Sequence, residues 1–246
     1  METRTHYKKR GVFRKAKRVG KFKTITMENN KQNTPETSET KANLTDEVKN
    51  FYKGDFKEIF VTIFKNPIDG IFSIFEKPSN KAYTQSLILF SSIFILYLVG
   101  GYIIAGEARQ YLEFGNFIKI SLIPVILMFV ITVISFGLKS ISGNPNFKAE
   151  LLTGGLCGVP LGILMPLLLI IKLFVSIDNI MSLVGDPAKA GIIGGLLLFY
   201  IILMLINILQ QSLKASGTND ALAWYLSPAS ILLAIYLTFE VSKNIF

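Results

Sequence analysis

The stretch from Phe147 to Lys172, FKAELLTGGLCGVPLGILMPLLLIIK, decides the fold class. No charged residue lies between Leu151 and Ile171. A helix needs about 20 apolar residues to cross a bilayer, so we predict that this stretch is a transmembrane helix.

This helix is rich in glycine and proline. Gly154, Gly158 and Gly162 fall on one helical face, where small residues let another backbone approach closely. Pro160 and Pro166 each remove a backbone donor and favour a kink. We therefore predict that this segment is central to the fold. A later apolar block repeats the small-residue spacing, and the predicted helix-packing residues are Gly154, Gly158, Pro160, Gly162, Pro166, Gly191 and Gly195.

The remaining apolar residues come in similar blocks. Half of the chain is hydrophobic and only 17% is charged, which is typical of a multi-pass helical membrane protein. We predict an all-α polytopic membrane protein whose transmembrane domain, 82–246, has five spans at about 87–105, 117–138, 151–175, 191–209 and 221–239.

The N-terminal tail, 1–45, is predicted to be disordered, first basic and then polar. Residues 1–26 hold ten Lys and Arg residues against one acid, Glu2, which accounts for the whole net charge of +9. Two interpretations stay open: a true terminus that touches anionic lipid or nucleic acid, or upstream sequence translated ahead of a start at Met27. We expect no nucleic-acid partner unless residues 1–26 are genuine.

Residues 46–81 are predicted to form amphipathic helices before the first span. Asn66 and Pro67 have the pattern of an N-cap followed by proline at the first helical position. The apolar faces suit either the membrane–water interface or packing on the ends of the spans, and both interpretations stay open. The predicted interfacial or partner surface consists of Phe56, Phe60, Ile63, Pro67, Phe72 and Phe75.

Basic residues near the spans predict the orientation, with the N-terminus cytoplasmic and, after five spans, the C-terminus outside. The segments predicted to be inside carry Lys65, Lys77, Lys81, Lys139, Lys148 and Lys214. Those outside carry Arg109, Lys189 and Lys243, with Lys119 and Lys172 near the outer ends of their helices.

Two segments carry a resemblance to a known family. They are FVTIFKNPIDGIFSIFEKP, Phe60–Pro78, and SISGNPNFKAELLTGGLCGVP, Ser140–Pro160. Their order resembles the Yip1 domain family of five-span membrane proteins, over roughly residues 56–240. The resemblance implies a cytoplasmic N-terminus. The chain is more similar to bacterial members, which implies the bacterial inner membrane. The Asp-Leu-x-Gly-Pro element of eukaryotic members is missing here, so their contact with Rab-type GTPases is not carried over.

Residues for catalysis are not found. The only histidine is His6, which excludes a histidine-based metal site or a Ser–His dyad within the spans. We predict no enzyme, cofactor or metal. Glu150, Lys172 and Glu240 lie near helix ends, and we expect their side chains to extend to the interface.

Two functions from different classes remain. The first is a non-enzymatic Yip1-type scaffold that binds the lipid bilayer and a membrane-protein partner or a second copy of itself. The second is a small-solute transporter or channel that uses a third span broken by Pro160 and Pro166.

Overall fold

The computed structural model describes residues 45–76, 81–142, 145–174 and 187–245. The predicted tail up to residue 44, with both candidate start sites, lies outside these ranges. Helices dominate the described residues, and no strand occurs among them. We number the helices α1 (Phe56–Lys65), α2 (Asp69–Glu76), α3 (Ala82–Ala105), α4 (Phe114–Ser142), α5 (Phe147–Phe174), α6 (Pro187–Ala215) and α7 (Asp220–Lys243).

Short helical segments extend two of these elements. Residues 45–50 are helical and lead through a π-helical turn, Phe51–Asp55, into α1. A 3₁₀ helix, Gly106–Tyr111, joins α3 to α4. Helical structure therefore extends beyond the predicted apolar blocks, with a change of hydrogen-bond pattern in both segments.

Within the described chain, α3 to α7 are the helices long and apolar enough to cross a membrane, with mean hydropathy between 1.6 and 2.7. The prediction of an all-α, five-span membrane protein is confirmed. Large apolar side chains such as Phe199, Trp224 and Tyr225 are exposed on the outer faces of the spans. Exposure of this kind over whole helix faces suits contact with lipid.

We call one end of the bundle the entry side, because the chain enters the first span there. It carries the start of α3 at Ala82, the α4–α5 connection after Ser142 and the α6–α7 turn after Ala215.

The α6–α7 turn shows how local sequence fixes an antiparallel pair. Gly217 has φ +87°, and the amides of Gly217 and Thr218 donate to the carbonyls of Lys214 and Leu213. This is the Schellman arrangement, which glycine favours because it has no Cβ. The Asn219 side chain then accepts from the Ala221 amide at 2.9 Å and caps α7. The two helices are thus joined by only a few residues.

Helix α5 occupies the centre, as predicted. It contacts α3, α4 and α6, and 56% of its span is buried, against 22% to 44% for the other four spans. It remains helical through Pro160 and Pro166. Between these prolines, the Tyr97 hydroxyl of α3 donates to the Leu161 carbonyl at 2.9 Å.

The glycines of α5 lie against two different helices. A Cβ at Gly154 would overlap the Thr132 hydroxyl and the Met128 carbonyl of α4. A Cβ at Gly158 would lie 2.7 Å from the Met128 Cε, and one at Gly162 would lie 3.1 Å from the Ile93 Cδ1 of α3. The absence of a side chain at Gly154 therefore lets α4 approach the α5 backbone directly.

The glycines predicted for packing in α6 differ from this pattern. A Cβ at Gly195 would meet no atom within 4 Å among the described residues, so the prediction that Gly195 packs against another helix has no support there. The surroundings of Gly191 lie outside the described part of the chain. Spacing alone does not distinguish a packed glycine from a lipid-facing one.

We predict that Gly154→Ala destabilises the bundle by about 1–3 kcal/mol, because the new Cβ overpacks against a backbone carbonyl that cannot move independently. Thermal unfolding in detergent measures this. The matched control is Gly195→Ala, which adds the same methyl into open space and should leave the midpoint unchanged or raised. Equal midpoints for the two variants would contradict the close approach.

Candidate functional site

A polar cluster lies at the entry side, where α4 ends and α5 begins. Asn146 starts α5: its side chain accepts from the Lys148 amide at 3.0 Å, and its carbonyl accepts from the Glu150 amide at 3.0 Å. The short connection and this cap place the last turn of α4 beside the first turn of α5. Lys139 and Glu150 consequently face each other.

Lys139 and Glu150 form a buried ion pair. The Lys139 Nζ lies 2.7 Å from Glu150 Oε2 and 3.0 Å from Oε1. Only 8% of Lys139 and 6% of Glu150 is exposed. Two charges removed from water are stable only when their geometry and remaining hydrogen bonds are good.

Three hydroxyl groups complete the cluster. Ser135 donates to Glu150 Oε2 at 2.9 Å, and the Ser212 Oγ of α6 accepts from Lys139 Nζ at 2.7 Å. Thr153 shares a 2.7 Å hydrogen bond with Ser212 and lies 3.5 Å from Glu150 Oε2. The ammonium thus uses all three of its donors within α4, α5 and α6.

The cluster is closed as well as buried. Among the described residues, no buried side-chain nitrogen or oxygen lacks a hydrogen-bond partner. The Phe75 ring of α2 lies 5.9 Å from the Lys139 Nζ and shields it further. A satisfied network of this kind fixes the register of three helices and leaves no free donor or base for a substrate.

The expectation for Glu150 was therefore wrong. Glu150 does not extend to the interface: it is buried because the α4–α5 hairpin provides a cation beside it. The Lys172 side chain lies outside the described part of the structure, so the expectation for it stays a prediction. Glu240 is partly exposed and pairs with Lys243 at 2.9 Å, as a side chain near a helix end can.

A second region of interest is formed by α1 and α2, which pack against the spans. The Tyr52 hydroxyl hydrogen-bonds to Ser92 of α3, and Gln85 donates to the Asp55 carboxylate at 2.9 Å. On the other side, Asn207 of α6 donates to the Pro67 carbonyl at 2.6 Å. Since a helix rises 1.5 Å per residue, Ser92 lies about 15 Å beyond the start of α3. The π-helical turn that leads into α1 therefore lies beside the first half of α3.

The residues predicted as an interfacial or partner surface divide into two groups. Phe60 and Pro67 are exposed, and Phe56, Phe72 and Phe75 are half-buried. Ile63 is fully buried, at 0% exposure, so its assignment to a surface was wrong. It lies on the side of α1 that faces the bundle, where Ile59 is also buried.

An apolar groove of about 680 Å³ lies where α1 meets the spans. One wall consists of Tyr52, from the π-helical turn, and of Phe56 and Phe60, from α1, and the neighbouring rings of Phe56 and Phe60 are tilted, with centroids 6.1 Å apart. Its other walls come from α3, between residues 89 and 99, and from α5, between residues 158 and 166. Helix α1 meets α3 through long side chains, which leaves this space between the backbones.

The sequence contains a signal for the polar cluster in residues that were not predicted as a site. Lys139 was counted only as evidence of orientation, and Ser135, Thr153 and Ser212 were not considered. Ser135 precedes Lys139 by four residues and Thr153 follows Glu150 by three, so each helix carries a polar stripe on one face. Opposite charges on two such stripes, joined by a short loop, indicate a pair.

A more polar cavity of about 350 Å³ lies where α1 and α2 meet the start of α3, and its polar lining residues are Asp55, Glu58, Thr62, Ser73 and Gln85. Among the described residues, no group of three or more His, Cys, Asp or Glu side chains could hold a metal ion. The lone cysteine, Cys157, is buried in α5 and forms no disulfide.

Comparison with known proteins adds no identity: no protein-family model, curated protein or solved structure matches the chain. The resemblance to the Yip1 domain family therefore stays a prediction.

We predict that Lys139→Met and Glu150→Gln each destabilise the protein, Lys139→Met by about 3–5 kcal/mol because it leaves a buried carboxylate uncompensated. The double variant should be more stable than the sum of the two single effects implies, since neither charge then remains unpaired. Thermal unfolding of all four proteins in detergent measures this coupling.

The matched control is the exposed pair Lys243 and Glu240, for which Lys243→Met and Glu240→Gln should each change stability by no more than about 1 kcal/mol. Additive effects at Lys139 and Glu150, or losses as small as those of the control, would contradict the buried pair.

Proposed function

We propose that this chain is a non-enzymatic membrane scaffold of the Yip1 type. It binds bilayer lipid and a membrane-protein partner, or a second copy of itself, and so organises the membrane around it. The N-terminus and the entry side are cytoplasmic, the C-terminus is outside, and the membrane is the bacterial inner membrane.

The observation that carries this proposal is the contrast between the polar cluster and the apolar groove. Lys139 and Glu150 form their hydrogen bonds with each other and with neighbouring hydroxyl groups. The groove beside α1, in contrast, is open and almost entirely apolar. A groove of this kind is suited to hold hydrocarbon or an apolar helix.

The same contrast argues against a small-solute transporter. That function needs a polar path at the interrupted helix. Helix α5 remains helical through Pro160 and Pro166, and the space beside Pro166 is the apolar groove. The resemblance of Phe60–Pro78 and Ser140–Pro160 to the Yip1 domain family, with basic residues concentrated on the entry side, supports the assigned orientation.

Two measurements on the full chain test this proposal. In sealed vesicles of phosphatidylethanolamine and phosphatidylglycerol, we expect no flux of ions, sugars or amino acids above that of protein-free vesicles. In native membranes, chemical crosslinking followed by purification through a C-terminal tag should recover the same partner, or a second copy of the chain, in repeated preparations.

Phe60 is exposed on the side of α1 that also carries Phe56, and we call this side the aromatic face. Phe60→Ser should therefore weaken that recovery. Val61→Ser is the matched control: Val61 is the next residue and also exposed, but lies outside the groove. Solute flux that is lost in Pro160→Ala would overturn the scaffold and support a transporter instead. Equal loss of the partner in both serine variants would show that the aromatic face does not bind the partner.

A further inference from the structure

We infer that the groove between α1, α3 and α5 binds one acyl chain of a phospholipid in the interior of the bilayer. This inference rests on the proposed function and names the lipid component that the scaffold holds. It is carried by the length, lining and position of the groove.

The length of the groove matches one leaflet. Along α3 it extends from Leu89 to Val99, which is ten residues and therefore about 15 Å of helix. The hydrocarbon core of a bilayer is about 30 Å thick, so one leaflet contributes about half of that. Leu89 and Val99 lie about 10 Å and 25 Å from the start of α3, so the groove crosses the middle of this span, and an acyl chain that lies parallel to α3 would fill it.

The lining selects hydrocarbon over a polar ligand. Tyr52 and Ser92 are the two polar side chains in it. Tyr52 and Ser92 hydrogen-bond to each other, and the Ser92 hydroxyl also contacts the Ile88 carbonyl at 2.5 Å. Both hydroxyl groups thus have partners within the protein. The remaining side chains of the lining are aliphatic, aromatic or proline.

The shape of the groove fits a slender occupant. On α5, Gly158 and Gly162 contribute only backbone to the wall, and the Ile93 side chain packs against both glycines. The rings of Tyr52, in the π-helical turn, and of Phe56 and Phe60, on α1, close the opposite wall. A volume of about 680 Å³ is within the range of well-formed ligand sites. If left empty, the lining would lose dispersion contacts, and the acyl chains of the surrounding leaflet are the available filler.

Occupancy can be measured on the full chain with Ile95→Trp and a matched control, Leu203→Trp. Ile95 lines the groove and is 57% exposed, whereas Leu203 of α6 lies outside it and is 47% exposed. Their positions lie about 20 Å and 18 Å from the entry-side ends of their helices, so both indoles enter the membrane at similar depth. The two variants should therefore differ only in whether the indole enters the groove.

The proteins are reconstituted in vesicles of phosphatidylethanolamine and phosphatidylglycerol, extracted in mild detergent, washed and analysed by native mass spectrometry. We expect one phospholipid per chain to survive washing in the wild type and in Leu203→Trp. In Ile95→Trp, retention should fall about tenfold, the effect of displacing roughly two buried methylene groups. Equal melting temperatures of the two variants would show that both are folded.

Retention of no phospholipid by the wild type, or the same retention in both variants, would overturn the acyl-chain site and indicate ordinary surrounding lipid. These outcomes do not depend on the test of the proposed function. Solute flux would overturn the scaffold whatever the lipid occupancy, and lost occupancy without flux would overturn the lipid assignment alone.

Discussion

The ion pair between Lys139 and Glu150 is the interaction on which the entry side depends. Burying either charge alone would cost several kcal/mol, so the two must remain together and retain their hydroxyl partners. Because those partners come from α4, α5 and α6, the requirement fixes the register of three spans at once. Helix α2 then covers the cluster through Phe75.

Further into the membrane, the close approach of α4 to α5 at Gly154 also holds these two helices together. There, lipid offers no hydrophobic drive for helices to associate, and shape must supply the attraction. Helix α4 lies directly on the α5 backbone at Gly154, whereas α3 contacts α5 at Gly158 and Gly162 through the Ile93 side chain. Helix α3 also approaches the α5 backbone directly, at Gly155, where a Cβ would lie 3.2 Å from the Ser86 Cα. The groove lies further along α3 and α5, beside α1.

Long apolar blocks made the number and type of spans predictable from sequence. A charge-free stretch of about 20 residues has few alternatives to a transmembrane helix. The central position of α5 was also predictable, because glycines at four-residue spacing need a close neighbour. Gly195 shows the limit of that signal: the same spacing occurs where the described residues provide no neighbour.

The polar cluster was harder to predict because proximity to a helix end suggests exposure. For Glu240 that inference holds, and for Glu150 it fails, since only the folded hairpin brings Lys139 beside it. Ile63 was placed on a surface because helical periodicity identifies an apolar face without identifying what covers it. The groove depends on the distance between α1 and α3, which no local pattern encodes.

The most direct test of this account is whether the π-helical turn that leads into α1 lies against α3. In a Cys157→Ser background, Asp55→Cys with Gln85→Cys should be joined efficiently by a short bifunctional thiol crosslinker in membranes, because these side chains are hydrogen-bonded. Lys57→Cys with Gln85→Cys should be joined poorly, since Lys57 is exposed. Equal crosslinking of the two pairs, or none for either, would contradict the packing of α1 on the spans and the groove it forms.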